Sequence, residues 1–174
     1  IAGLMDAVVS LPRRISVSGQ SAMSLPRRIS VSGQSAGASM AIQTLFAFSS
    51  AIDGAALLAG SPYGCGQQRF HSLACYYGNL DKTVAERYVR RRHSQGLIDD
   101  PKHLHNTPVL LFSGALDFVV LRREMHYVGQ QLNAFGAAVR SIYNTSASHA
   151  WPIDHGSCAC GACALGNRTG TSSM

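Results

Sequence analysis

Ser35, Asp117 and His149 are the side chains of this sequence whose types and order suit nucleophilic chemistry. A serine hydroxyl is a poor nucleophile until a base removes its proton and a third group orients that base. Ser35 is the centre of Gly33-Gln34-Ser35-Ala36-Gly37, a G-x-S-x-G pentapeptide. Arg28-Ile29-Ser30-Val31-Ser32 precedes it and Ala38-Ser39-Met40-Ala41-Ile42 follows it. That context is a strand, a sharp turn and a helix, which would hold the serine in a strained, exposed position. Read blandly, the same five residues are a Gly/Ser turn.

The elements that must position these residues alternate along the chain. Residues 36–50, rich in Ala, Met, Leu and Phe, read as a buried helix carrying Met40, Ile42, Leu45 and Phe48 inward. Residues 52–60 read as a short buried strand between glycines, and 61–66 as a turn-rich loop. Asp81 is placed to cap a helix reaching about His93, with Val84, Tyr88 and Arg91 on one face. Pro108 to Ser113 is an apolar run ended by Gly114, which suits a strand buried on both faces of a parallel sheet. Met125, Val128, Leu132 and Phe135 recur at helical spacing before Gly136, and 137–143 is a further strand. Strand-helix-strand, an insertion, then strand-helix-strand predicts an α/β fold with a mostly parallel sheet and flanking helices. Asp117 and His149 each follow a late strand, so both fall at strand carboxyl ends, where such sheets place their sites. The order Ser, Asp, His is that of an α/β-hydrolase. Asp117 also suits a turn, and His149 an ordinary surface position.

One oxyanion donor would be the backbone N–H of Ala36, and the second should come from a loop after an early strand. No strand with such a loop precedes residue 10, and the chain opens on Ile1-Ala2-Gly3 without Met or a signal-peptide pattern. The expectation is an N-terminally incomplete piece, a single partial domain over 1–174. Within it, Ser10–Ala22 recurs unchanged as Ser24–Ala36, making 10–23 a duplicated segment. The first copy ends in Met23 where the second has Gly37. Glycine's tolerance of close approach, together with the helical run that follows the second copy where the first leads back into Ser24-Leu25-Pro26, therefore selects Ser35, and Ser21 reads as a bystander. The lid or substrate groove is expected in the insertion 61–107, before the acid-bearing strand.

Composition sets outer bounds. The 174 residues are 46% hydrophobic and 14% charged, an ordinary globular balance, and no apolar run reaches membrane-spanning length. Net charge is +6, densest at Arg90-Arg91-Arg92-His93. That run reads as a solvated helix face, because no nucleic-acid-binding motif accompanies it. Five cysteines and two N-x-S/T sequons, Asn144 and Asn167, favour an oxidising, extracellular compartment. Cys158, Cys160 and Cys163 lie in a Cys-rich tail, 156–174, that reads as disulfides rather than zinc ligands, with Cys65 and Cys75 read as a further pair.

Four stretches carry a family resemblance: Gly33 to Ala41, Ala59 to Cys65, Phe112 to Val120, and His149-Ala150-Trp151-Pro152. Over roughly residues 24 to 165 the chain resembles the polyhydroxybutyrate depolymerase family of esterases. The resemblance implies an α/β-hydrolase fold and hydrolysis of poly(3-hydroxybutyrate) or related short polyesters. Carried over by motif, Ser35 would be the nucleophile, Asp117 the acid and His149 the base, with no cofactor and no metal. Trp151 would line the site or fill the core, and Tyr63 would contact substrate. The partner implied is a polyester or small ester, with neither nucleic acid nor membrane. Close families cleave feruloyl and acetyl esters of plant polysaccharides, and an inactive piece serving as a binding module is the non-enzymatic alternative.

Overall fold

The computed structural model describes residues 28–65, 82–153 and 171–173. The duplicated segment 10–23, Asp81, Cys75 and the cysteines of the 156–174 tail lie outside the described residues. Four parallel strands form the main sheet in sequential order: β1 (Ser30–Gln34), β2 (Gly54–Leu58), β3 (Pro108–Phe112) and β4 (Ala138–Ile142). A parallel sheet needs long crossovers. Here α1 (Ala36–Ala47) joins β1 to β2 and α3 (Arg122–Ala134) joins β3 to β4. The β2–β3 connection contains α2 (Lys82–Ser94) and a 3₁₀ turn, Pro101–Leu104. A separate parallel pair, β5 (Trp151–Ile153) and β6 (Thr171–Ser173), follows.

The expected α/β-hydrolase architecture is therefore present, and its core explains why β2 and β3 read as unbroken apolar runs. Alternate side chains point to opposite faces. Ala55, Leu57, Val109 and Leu111 join α1, α2 and α3 in one large cluster, while Ala56, Leu58, Leu110 and Phe112 pack with Ala147 on the other face. With both faces covered, polar residues have no place in these two strands.

Two helix faces differ from the sequence expectation. Ile42 and Leu45 are buried as expected, but Met40 and Phe48 are 65% and 60% exposed, and Ala38, Ala41 and Phe46 complete the inward stripe. A helix apolar nearly all round gives periodicity no polar face to exclude, so only the sheet's position decides. In α2 the buried residues are Ala85 and Val89, whereas Arg91 is exposed. The neighbouring arginines cover the core edge instead: Arg90 stacks over Phe135 at 5.3 Å and Arg92 over Tyr88 at 5.8 Å. Of the stretch 61–107, residues 82–107 contribute Val89, Ile98 and Leu104 to the main core.

Candidate active site

Parallel pairing puts the carboxyl ends of β1 to β4 along one sheet edge, and the residues of interest follow three of those ends. Ser35 is the residue between β1 and α1, with φ 56 and ψ −123, a conformation that a non-glycine residue adopts only under strain. Its N–H donates to Leu58 O at 2.9 Å, tying the turn to β2, and its own carbonyl accepts from Ser39 N–H at 3.0 Å. The turn is so tight that a Cβ added at Gly33 would collide with the Gly37 backbone. A Cβ at Gly37 would meet nothing within 4 Å. The glycine that this elbow requires is thus Gly33, which both repeat copies possess as Gly19 and Gly33; the difference between Met23 and Gly37 does not by itself select Ser35. Ala36 is the first residue of α1, so its N–H has no acceptor within the helix and lies at the positive end of the dipole.

Asp117 and His149 are brought together although 32 residues separate them: Nδ1–H of His149 donates to Asp117 Oδ2 at 2.8 Å. The other carboxylate oxygen accepts the N–H groups of Val119 and Val120, each at 2.9 Å. Three donors on one buried carboxylate leave it little freedom to turn. The Asp117 side chain is 1% exposed and that of His149 15%, so the pair is shielded while one edge of the ring faces outward. With Nδ1 donating, Nε2 of the neutral ring carries the lone pair that a general base needs. Among the described residues no hydrogen bond joins Ser35 to His149.

Backbone contacts between the two loops set this alignment. Ser113 N–H donates to Ile142 O, Ala115 N–H to Thr145 O, and Leu116 N–H to Ala147 O, at 3.1, 2.8 and 3.0 Å. Gly114 permits the approach, since a Cβ there would strike the Ala147 carbonyl.

The remaining sequence candidates diverge. Trp151 is 42% exposed on β5, two residues past His149. Tyr63 is buried, its ring packed on Phe46 and Tyr88 with centroids 4.7 and 5.8 Å away. Its backbone N–H and carbonyl are both held by the Gln131 side chain, at 2.8 and 3.2 Å. A ring engaged on both sides within the core has little surface for a ligand, which corrects its assignment to substrate contact.

Sequence reasoning missed Glu124, in the first turn of α3 and 2% exposed. Its Oε2 accepts the Ser61 hydroxyl at 3.0 Å, and burial pushes its carboxyl up to about 7, with the Asp117 charge adding to that rise. The available signal was its spacing: Glu124, Val128 and Gln131 form one stripe of α3 beside Met125 and Leu132, and all are buried.

No family model matches the chain. Among curated proteins it is similar to a poly(3-hydroxybutyrate) depolymerase of Delftia acidovorans, 32% identical over 132 residues that cover 71% of this chain and 26% of that protein. Among solved structures it resembles the PHB depolymerase from Penicillium funiculosum, with TM-score 0.73 and 27% identity, over 84% of this chain and 47% of the other. A serine-to-alanine variant of a PHB depolymerase, complexed with an R3HB trimer, gives TM-score 0.70 and 26% identity, covering 82% and 46%. The chain thus spans about a quarter of the curated relative and just under half of the two solved ones.

Proposed function

Since the chain belongs to the poly(3-hydroxybutyrate) depolymerase family of α/β-hydrolases, we propose that Ser35, His149 and Asp117 act together as the triad of a serine ester hydrolase. The observation that carries this reading is the 2.8 Å His149–Asp117 hydrogen bond on the same sheet edge as the strained Ser35 elbow.

Each step follows from a named atom. Asp117 holds Nδ1–H, leaving Nε2 to take the Ser35 proton as Oγ attacks the ester carbonyl. The carbonyl π electrons move onto oxygen, and the Ala36 N–H at the helix start stabilises that oxyanion. As the tetrahedral adduct collapses, the C–O bond to the alcohol breaks and imidazolium returns the proton to the leaving oxygen. Water, deprotonated by the same Nε2, then hydrolyses the acyl-enzyme.

The substrate class is poly(3-hydroxybutyrate) or its short oligomers. The R3HB trimer held by a structural relative supports a polyester over feruloyl or acetyl esters of polysaccharide. Trp151, exposed two residues past His149, supplies an apolar wall for the acyl or alcohol portion. The five cysteines and two sequons support an oxidising, extracellular setting. No helix among the described residues is long and apolar enough to cross a membrane. The use of Arg90 and Arg92 against core aromatics supports a structural role for the basic run rather than nucleic-acid contact.

A fluorophosphonate probe tests the assignment. The expected result is one adduct, on Ser35, lost in Ser35→Ala together with release of 3-hydroxybutyrate from R3HB oligomers. An adduct that persists in Ser35→Ala would refute it.

A further inference from the structure

Glu124 is buried where it feels the Asp117 charge, and it takes no part in the steps of ester hydrolysis. Its helix starts directly after the acid-bearing loop, and its N–H donates to Leu121 O at 2.8 Å. From its carboxyl, hydrogen bonds relayed through Ser61 and Ser39 lead to the backbone carbonyl of Ser35. The Ser61 hydroxyl donates to Oε2 at 3.0 Å, the Ser61 N–H donates to Ser39 Oγ at 3.0 Å, and the Ser39 N–H donates to Ser35 O at 3.0 Å. The next residue repeats the connection, Gly60 N–H donating to Met125 Sδ at 3.1 Å. The carboxyl thus holds the loop after β2, which is itself hydrogen-bonded to the elbow helix, and it stands in the first turn of the helix that follows the acid loop.

The surroundings make the charge state of Glu124 consequential. The charges its carboxyl experiences are Asp117, on the loop after β3, and Arg123, exposed on its own helix. The loop after β2 offers the Ser61 hydroxyl, and the elbow helix offers the Ser39 hydroxyl at one remove. Its described hydrogen-bond partners include no cation, and a buried carboxylate so placed is costly. Packing alone would be served better by Leu or Met.

We propose that Glu124 is a positioning residue for the proposed triad: buried where the acid loop enters its helix, its carboxyl holds the loop after β2 and through it the elbow helix, and its ionisation sets a second negative charge near Asp117. That charge favours the imidazolium that forms as Ser35 attacks, so the ionised enzyme is the faster one. The kinetic consequence rests on the esterase reading; the electrostatic one does not.

The test uses the full chain, in which Glu86 and Glu124 are the two glutamates. Protein labelled with ¹³C at the glutamate carboxyls should show one resonance titrating near pH 7, absent in Glu124→Gln, whose amide still accepts the Ser61 hydroxyl. The His149 ring Cε1–H resonance should move with the same midpoint in the wild type and lose that component in the variant. Ser61→Ala, which removes a bond favouring the ionised form, should shift both midpoints to higher pH. In p-nitrophenyl butyrate hydrolysis, kcat should rise about three- to tenfold through this ionisation, and Glu124→Gln should lack the rise. A Cε1–H titration unchanged by Glu124→Gln, or a kcat profile parallel to wild type in a variant that still labels at Ser35, overturns the proposal. Absence of labelling at Ser35 would sink the esterase reading alone, leaving the resonances to decide this one.

Discussion

At the residue scale the proposed triad depends on one tautomer. Asp117 accepts from two backbone amides with Oδ1 and from His149 with Oδ2, so its orientation is set by the protein itself. Asp117→Asn keeps the shape but presents N–H groups where acceptors are needed, and the ring turns its lone pair toward the amide. The expected result is a kcat for p-nitrophenyl butyrate about 10⁴-fold lower with an unchanged circular dichroism spectrum. A loss under about tenfold would mean that the 2.8 Å bond is not the orienting one. The placement of Ser35, Asp117 and His149 past strand ends was legible, because the apolar runs before them read as strands. Glu124 was not, because a glutamate between Arg123 and Met125 reads locally as part of a solvated helix turn. Tyr63 misled for the opposite reason, since an aromatic in a loop near the site suggests ligand contact until its two ring neighbours are seen.

At the element scale, the elbow is where α1 folds back onto the end of β1. Gly33 is the residue that the backbone of Gly37 excludes from bearing a side chain. Gly33→Ala should therefore lower stability by about 1–3 kcal/mol, because the obstacle is backbone and cannot rotate away. Gly37→Ala, with open space around it, should lie within about 0.5 kcal/mol of wild type. Thermal unfolding of the two variants checks this, and equal losses would show that the crowding at Gly33 is relieved by a small backbone shift. The helix and strand order was readable because β2 and β3 are buried on both faces and admit only apolar residues. The inward face of α1 was not, because Met40 and Phe48 are as apolar as Phe46 and only the sheet distinguishes them.

At the scale of the whole molecule, a buried acid whose folded pKa exceeds its unfolded value makes stability depend on pH. Glu124 moves from 4.5 to about 7 on folding. Over that interval the folded chain holds a proton that the unfolded chain has released, so stability falls as pH rises and levels off above about 7. Wild-type Tm should decline between pH 5 and pH 7.5 through this group, and Glu124→Gln should show a flatter curve and a higher Tm at the alkaline end. Identical curves for the two proteins would refute the burial argument. What the sequence by itself determined is the kind and order of the elements, since apolar periodicity and turn residues act over a few neighbours. It also determined which residues stand just past strand ends. The tertiary structure decided what those positions mean: that Asp117 meets His149 across 32 residues, that Gly33 rather than Gly37 is sterically required, and that Glu124 is enclosed. Each of these depends on the register of parallel strands and on which helix face the sheet covers. Both are settled by burial of the whole core, which no local stretch of residues encodes.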